Sequence, residues 1–271
     1  MTEPPLVEFR NATIWRGATC VFENLNLTIA QGECVALLGP NGSGKSTLLK
    51  TLYRELYPVV ADNAWVKVLG RERWNVWELR AHIGMVSHEL QANYRAATTA
   101  LDVVLSGFRS SIGVHGILAD ASSPEQRQRA AEVLATLGAA DLAERPLATL
   151  STGQQRRCLL GRALVHQPDT LILDEPTAGL DFSASFDYLR TLQELAERGT
   201  SIVVATHHLG EIPPQVTRVI ILKHGQVAAD GAKSEVLRAD LLSDVYETDI
   251  ALAEQGDYWI AFPAQARNSK T

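Results

Sequence analysis

Nine consecutive residues, GPNGSGKST at positions 39–47, have the types and the spacing that bind phosphate. Gly42 and Gly44 would let the backbone turn successive N–H groups toward phosphate oxygens. Lys45 would bring a mobile positive charge to the same oxygens, and the hydroxyl of Ser46 can ligate Mg²⁺. Because the pattern follows an apolar run typical of a buried strand and precedes a helical pattern, it predicts a nucleotide site. The predicted nucleotide-binding residues of this segment are Gly39, Pro40, Asn41, Gly42, Ser43, Gly44, Lys45, Ser46 and Thr47.

Two carboxylates, Asp174 and Glu175, end the apolar run TLILDE. A strand with this ending places both at the carboxyl edge of a parallel sheet, where open α/β folds bind ligands. We expect Asp174 to hold Mg²⁺ through water and Glu175 to orient or deprotonate an attacking water. The pattern alone also fits a solvated acidic turn, but the phosphate-binding pattern upstream favours catalysis.

A histidine, His207, follows the buried-strand pattern SIVVAT. It should reach the same sheet edge, where an imidazole can hydrogen-bond a terminal phosphate. A single histidine is more often structural, and its neighbour His208 fits that role. Three core strands that each end in polar chemistry nevertheless favour function for His207. Lys45, Glu175 and His207 are therefore the predicted catalytic residues.

The segment LSTGQQRR, residues 150–157, allows two interpretations. Ser151 and Gln154 have the spacing of a capping box, which begins a helix. The same residues, with Thr152 and Gly153, would also present N–H groups and a hydroxyl at the positive end of that helix, where a phosphate can bind.

The elements that must position these residues indicate an α/β fold. The first thirty residues alternate as antiparallel strands do, whereas the later apolar runs are typical of a parallel sheet. Residues 89–157 are instead helical in pattern, and include a helix with Ser123 as N-cap, Pro124 at its first position and Gly138 at its end. We predict one domain, with an α/β core in residues 1–88 and about 158–262, a helical insertion in about 89–157, and a disordered tail in 263–271.

Charge and cysteine content restrict the function classes. A net charge of −6 argues against a protein that coats nucleic acid, because the phosphate backbone requires a basic face. Three unpatterned cysteines indicate free thiols, and we expect Cys34 and Cys158 to be buried. The N-terminal segment does not have the pattern of a signal peptide, and no apolar run approaches the roughly 20 residues of a membrane span. We expect a cytoplasmic protein whose work at a membrane would need another subunit.

Together these motifs resemble those of the ATP-binding-cassette (ABC) ATPases across nearly the whole chain. The resemblance adds LSTGQ as the family signature and AGLD, which ends at Asp181, as a loop that contacts the second cassette. It implies a P-loop NTPase with a RecA-like parallel core sheet, an N-terminal antiparallel β subdomain and an inserted α-helical subdomain. It also implies ATP and Mg²⁺ as cofactors, with Trp15 stacked on adenine. Two cassettes would enclose two ATP molecules, each between the P-loop of one and Ser151, Thr152, Gly153 and Gln154 of the other.

Two positions depart from the family pattern. Thr152 replaces the usual glycine of the signature, and a threonine resists positive φ and adds bulk beside the phosphate. His88 replaces a glutamine that ligates Mg²⁺ and senses the membrane partner, and imidazole is a poorer ligand for that ion. Gln91 would substitute for it if the loop shifts. The Thr152 departure would weaken closure rather than abolish function, and the His88 departure affects the sensing loop more than the ATPase.

Finer similarities point to an importer. VSHELQ, SGFRSSIG, GQQRR and THHLGEIP resemble molybdate-transport-like single-cassette ATPases, and LLSDVYETDI is similar to ATPases of iron-chelate and cobalamin importers. The leading hypothesis is an ATPase subunit, peripheral on the inner face of the plasma membrane, that drives a separate permease. The alternative is a soluble cassette with a regulatory or nucleic-acid-linked role. A module that binds nucleotide without hydrolysis is disfavoured because Glu175 and His207 are both present.

Overall fold

The N-terminal part of the chain forms a small antiparallel sheet. The computed structural model describes residues 3–109 and 122–264. Strands β1 (Val7–Arg16) and β2 (Thr19–Ile29) pair as the alternating pattern predicts, and β4 (Trp65–Val68) joins the other side of β1. This sheet covers one face of the larger core sheet.

The core sheet has six strands, five of them parallel. Their order is β5 (Ile83–Ser87), β6 (Thr170–Asp174), β7 (Ser201–Ala205), β3 (Val35–Leu38), β8 (Arg218–Lys223) and β9 (Gln226–Ala232), of which only β9 is antiparallel. The continuous apolar runs therefore form strands buried on both faces, as predicted.

Helices surround the core sheet and fill the insertion. Outside the insertion lie α1 (Lys45–Leu52), α2 (Val76–His82), α7 (Phe182–Glu197), α8 (Lys233–Val236) and α9 (Ala239–Tyr246). Between β5 and β6 lie α3 (His88–Ala92), α4 (Ala100–Leu105), α5 (Pro124–Thr136) and α6 (Thr152–Leu164). Helix α5 begins with the predicted Ser123 cap, and Gly138, just past its end, has a φ of 63°.

Two apolar cores lie on opposite faces of the core sheet, because successive side chains of each strand point to opposite sides. Val35 and Leu37 of β3 pack with α1 and the antiparallel sheet. Ala36 and Leu38 of the same strand pack with the helices of the insertion and with α7. The parallel sheet is thus covered on both sides, and this leaves the strand ends as the place for polar chemistry.

A C-terminal hairpin follows α9 and has no counterpart in the sequence prediction. It consists of β10 (Ile250–Gln255) and β11 (Tyr258–Pro263). The predicted tail, residues 263–271, lies outside the described residues except for Pro263, which ends β11, and Ala264. In the described ranges, no helix combines the length and the apolar composition needed to cross a bilayer.

The three cysteines should differ in reactivity. Cys158 is buried in α6 as predicted, and burial raises its pKa to about 12. Cys34 is only half-buried, contrary to the prediction, although burial also raises its pKa, whereas Cys20 is exposed. Because the thiolate is the reactive form, we expect a thiol reagent at pH 8 to modify Cys20 first and Cys158 only in urea. Mass spectrometry of the modified chain checks this, and modification of native Cys158 as fast as Cys20 would contradict it.

Candidate nucleotide site

The register of the core sheet brings four strand ends to one edge. Asp174 of β6 lies between Ser87 of β5 and Ala205 of β7 in the ladder. The N–H of Thr206 donates to the carbonyl of Leu37, 3.1 Å away, so the end of β7 adjoins the end of β3. The loops that follow these strands therefore meet, as the sequence motifs predict.

The predicted phosphate loop connects β3 to α1 and curls around the side chain of Lys45. The ammonium of Lys45 donates to the carbonyls of Gly39 at 2.7 Å and Pro40 at 3.2 Å. Burial lowers the pKa of Lys45, while the negative charges of Glu175 and Asp174 act in the opposite direction. Within the described residues both hydrogen-bond acceptors of this buried ammonium are neutral carbonyls, a poor match that an anionic phosphate would improve.

Two glycines of the loop have no room for a side chain. Gly44 has a φ of 111°, and an added Cβ would lie 2.5 Å from Cζ of Phe22. Gly39 has a φ of 142°, and an added Cβ would lie 2.1 Å from the carbonyl oxygen of Leu222. The loop shape thus depends on glycine both for its backbone angles and for its close packing.

The two carboxylates and the histidine lie beside this loop. Oδ1 of Asp174 is buried and has no hydrogen-bond partner in the described part of the chain. Burial raises the pKa of Asp174, and a hydrogen bond from Ser46 acts against that rise. Glu175 adopts a left-handed backbone with φ of 49°, and Nδ1 of His207 lies 2.8 Å from its carboxylate. The geometry therefore joins the two residues predicted to act on water and terminal phosphate.

A cavity of about 390 Å³ opens beside the phosphate loop. Its lining residues are Asn41, Gly42, Gly44, Lys45, Ser46, Thr47 and Glu175, with Arg16, Thr19 and Val21 from β1 and β2. Trp15 is 46% exposed on β1, next to Arg16, but is not among the lining residues. The sequence analysis did not predict that Arg16, Thr19 and Val21 line the cavity. Their one indication in the sequence is that they lie close to Trp15 in the β1–β2 hairpin.

The signature segment begins α6 and lies apart from that cavity. Its predicted capping box is confirmed: Gln154 N donates to Ser151 Oγ at 3.3 Å, and Ser151 N donates to Gln154 Oε1 at 3.0 Å. Thr152 is the first residue of the helix and does not have positive φ, so the expected backbone conflict does not arise. None of the described cavity-lining residues comes from 151–154. Asp181 caps α7, where its Oδ1 accepts from the N–H of Ala184 at 2.8 Å.

The segment after β5 places His88 at the first position of α3, with its side chain exposed. Gln91, the predicted substitute for His88, donates from its amide to Gln155 of α6 at 2.5 Å. Gln91 thus connects α3 to the signature helix. Neither residue lines the described cavity beside Lys45.

One further residue contacts the phosphate loop from the C-terminal part of the chain. The hydroxyl of Tyr246, the last residue of α9, accepts from the N–H of Gly39 at 3.1 Å. Burial raises the pKa of this tyrosine, while the N–H of Gly39 acts to lower it. Nothing in the sequence signalled a contact between positions 207 residues apart.

Fold and site together define a P-loop nucleotide-binding protein. A protein-family model described as ABC transporter matches residues 22–178. The chain therefore belongs to the ABC transporter family, and as an ATP-binding cassette it binds and hydrolyses ATP.

Curated relatives match along most of their length. The uncharacterized ABC transporter ATP-binding protein YlmA of Bacillus subtilis (strain 168) is 35% identical over 250 residues, which cover 90% of this chain and 92% of the relative. The hemin import ATP-binding protein HmuV of Bradyrhizobium diazoefficiens is 32% identical over 260 residues, which cover 93% and 92%. The glutamine transport ATP-binding protein GlnQ of Escherichia coli (strain K12) is 36% identical over 228 residues, which cover 83% and 91%.

Solved structures share the fold. The ATP-binding cassette MJ0796, in a dimeric post-hydrolysis state bound to ADP and Pi, superposes with a TM-score of 0.69 at 30% identity and covers 83% of this chain and 98% of its own. The ADP conformation of the cassette MJ1267 superposes with a TM-score of 0.72 at 23% identity, covering 90% and 98%.

Substitution of Gly44 by alanine tests the loop geometry. We expect ATP affinity to fall about tenfold or more, because strain on the order of 1–3 kcal/mol disfavours the loop conformation that binds phosphate. Gly199→Ala is the matched control, since Gly199 also has positive φ, 97°, but an added Cβ there meets no heavy atom within 4 Å. Calorimetric ATP titration measures both variants, and equal losses of affinity would contradict the steric account.

Proposed function

We propose that the chain is the ATP-hydrolysing subunit of an importer and works as a dimer of cassettes that energises a separate membrane permease at the cytoplasmic face. The separation of its two phosphate-binding segments supports this. The phosphate loop lines the cavity, whereas residues 151–154 lie outside it. A second cassette, whose signature faces this loop, would complete each site, and the dimeric MJ0796 structure is consistent with that arrangement.

The residues present fit ATP with Mg²⁺. Loop N–H groups and Lys45 would hold the phosphates, and Trp15 would face the adenine. Ser46 and the partnerless Oδ1 of Asp174 supply oxygen donors, the kind that Mg²⁺ prefers. The metal would offset phosphate charge as the terminal bond breaks. His88 remains a weaker candidate for a metal ligand.

Glu175 would accept the proton of the attacking water. Nδ1 of His207 lies 2.8 Å from this carboxylate, where an N–H would fix the orientation of Glu175. Nε2 would donate to the terminal phosphate at the same time only in the imidazolium form, which carries a hydrogen on both ring nitrogens. Asp181, which caps the start of α7, and the loop that precedes it would contact the second cassette.

The permease would contact the segment that follows β5. A cavity of about 240 Å³ lies there, lined by α1, β5, α3 and Arg162 of α6. Its polar lining includes Lys50, Arg80 and Glu89. A groove of mixed charge suits a polar cytoplasmic segment of a membrane protein. Because Ser87 at the end of β5 is paired with Asp174, movement of this segment would reach the catalytic edge directly.

For cargo we favour a metal complex over molybdate. The hemin import protein HmuV is covered over 92% of its length, and the C-terminal LLSDVYETDI resembles iron-chelate and cobalamin importers. The molybdate-type motifs support the oxyanion alternative. Reconstitution of the chain with its permease in vesicles, and measurement of ATPase stimulation by hemin or by molybdate, distinguishes them. Full cellular activity without any membrane partner would contradict the importer.

Glu175→Gln tests the proposed dimer. Without its general base the chain should close on ATP but not reopen, so size-exclusion chromatography with ATP should show a dimer in the variant and mostly monomer in the wild type. The same run with ADP is the control and should show monomer for both. A monomer in every condition would contradict the two-cassette site.

Ser151→Ala tests whether the signature serine serves the partner's nucleotide. We expect ATP affinity of the monomer to stay unchanged, while dimer formation in the Glu175→Gln background weakens. Ser123→Ala removes an equivalent capping box from α5 and controls for a loss of about 1 kcal/mol of helix stability. Weakened dimerisation in both variants would assign Ser151 to capping alone.

A further inference from the structure

A buried hydrogen-bond cluster connects the loops that follow β6 and β7. Glu211, at the end of the 3₁₀ turn Leu209–Glu211, is buried, and its two carboxylate oxygens accept from different threonines. Oε1 accepts from the hydroxyl of Thr177 and Oε2 from the hydroxyl of Thr206. Thr177 lies two residues after Glu175, and Thr206 directly precedes His207. One carboxylate therefore holds the backbones that present both members of the catalytic pair.

A buried arginine extends this cluster to the signature helix. Arg156 of α6 has no exposed surface, and its Nη2 donates to the carbonyl of Ala178 at 3.4 Å. Its Nε and Nη1 have no hydrogen-bond partner in the described ranges. Burial lowers the pKa of Arg156, whereas the charges of Tyr188, Asp174 and Glu211 act to raise it. The arginine thus contacts, from the signature helix, the residue that directly follows Thr177.

A buried guanidinium with two unused donors is costly, and an apolar side chain of similar volume would avoid that cost. Its retention in the core therefore needs a reason other than stability. The packing nearby suggests one. An added Cβ at Gly153 would lie 2.9 Å from Cβ of Ala184, so the starts of α6 and α7 are in direct contact. Helix α6 therefore meets the segment from Ala178 to Ala184 at two points, through Gly153 and through Arg156.

We propose that Arg156 and Glu211 are positioning residues that connect the signature segment of this chain to its own Glu175–His207 pair. The proposal rests on the proposed dimer, in which that segment contacts the partner's nucleotide. Closure on the partner's ATP shifts α6, Arg156 shifts the carbonyl of Ala178, and the Glu211 bridge transmits the shift to Glu175 and His207. Each protomer thus aligns its own catalytic pair when the other site is filled.

The test compares kcat and ATP binding of the purified chain. We expect Arg156→Met and Glu211→Gln each to lower kcat about tenfold at saturating ATP, because the catalytic pair is misplaced, while monomer ATP affinity stays within about twofold. The double variant should lose no more than either single variant, since both act on one pathway. Arg190→Met and Glu194→Gln make the same chemical changes at exposed positions of α7 and should leave kcat unchanged.

A second pair of variants separates a specific loss of kcat from a general loss of folding. Thr206→Val removes the hydroxyl that donates to Glu211, and Thr206→Ser retains it, so only the valine variant should lose kcat. Unchanged kcat in Arg156→Met, losses that multiply in the double variant, or parallel losses of kcat, ATP affinity and Tm would each overturn the proposal. Because the chain is assayed alone, a failure of permease coupling would count against the importer and not against this pathway.

Discussion

The site depends on the register of the parallel core sheet. Backbone hydrogen bonds pair Asp174 with Ser87 on one side and with Ala205 on the other. A slip of one residue in β6 would turn Asp174 to the opposite face and bury its charge against an apolar core. The cost of burying that charge between two apolar cores favours the observed register. The same burial that stabilises the fold therefore aligns the loop ends that hold phosphate and water.

The N-terminal ends of α1 and α6 both offer a positive potential for an anion, but in two different ways. At α1 the loop presents N–H groups and Lys45 to a cavity within the same chain. At α6 a capping box occupies the helix end, which is exposed. Both are positive ends of helices, and both are suited to an anion. In the ranges that the structure describes, the first lines a cavity of its own chain and the second does not, which supports the proposal that a second cassette completes the site.

Much of the core and the phosphate loop could be predicted from sequence, because each depends on contiguous residues. The apolar runs that became β3, β6 and β7 are strands buried on both faces, and the glycine spacing of 39–47 predicted the loop. Contacts between distant segments gave no such signal. Tyr246 bonds Gly39 from 207 positions away, and Glu211 bridges two loops, since tertiary packing alone brings them together. The roles of Trp15 and His88 remain predictions. The family resemblance assigns each residue a role, but the sequence does not determine where its side chain lies.

The capping box at Ser151 also suggests why closure would depend on ATP. In the structure this hydroxyl accepts from Gln154, a bond that contributes about 1 kcal/mol to the helix. In the cap the serine oxygen accepts, whereas toward the partner's phosphate its O–H would donate, so the two bonds are compatible. A hydrogen bond to a charged group contributes about 1.5–3 kcal/mol, so this donation would favour closure opposite an anionic terminal phosphate. Opposite ADP, which has no terminal phosphate at that position, the O–H would lack this acceptor. The capping box would therefore hold the serine in place for the partner's terminal phosphate, and hydrolysis would remove the group that rewards closure.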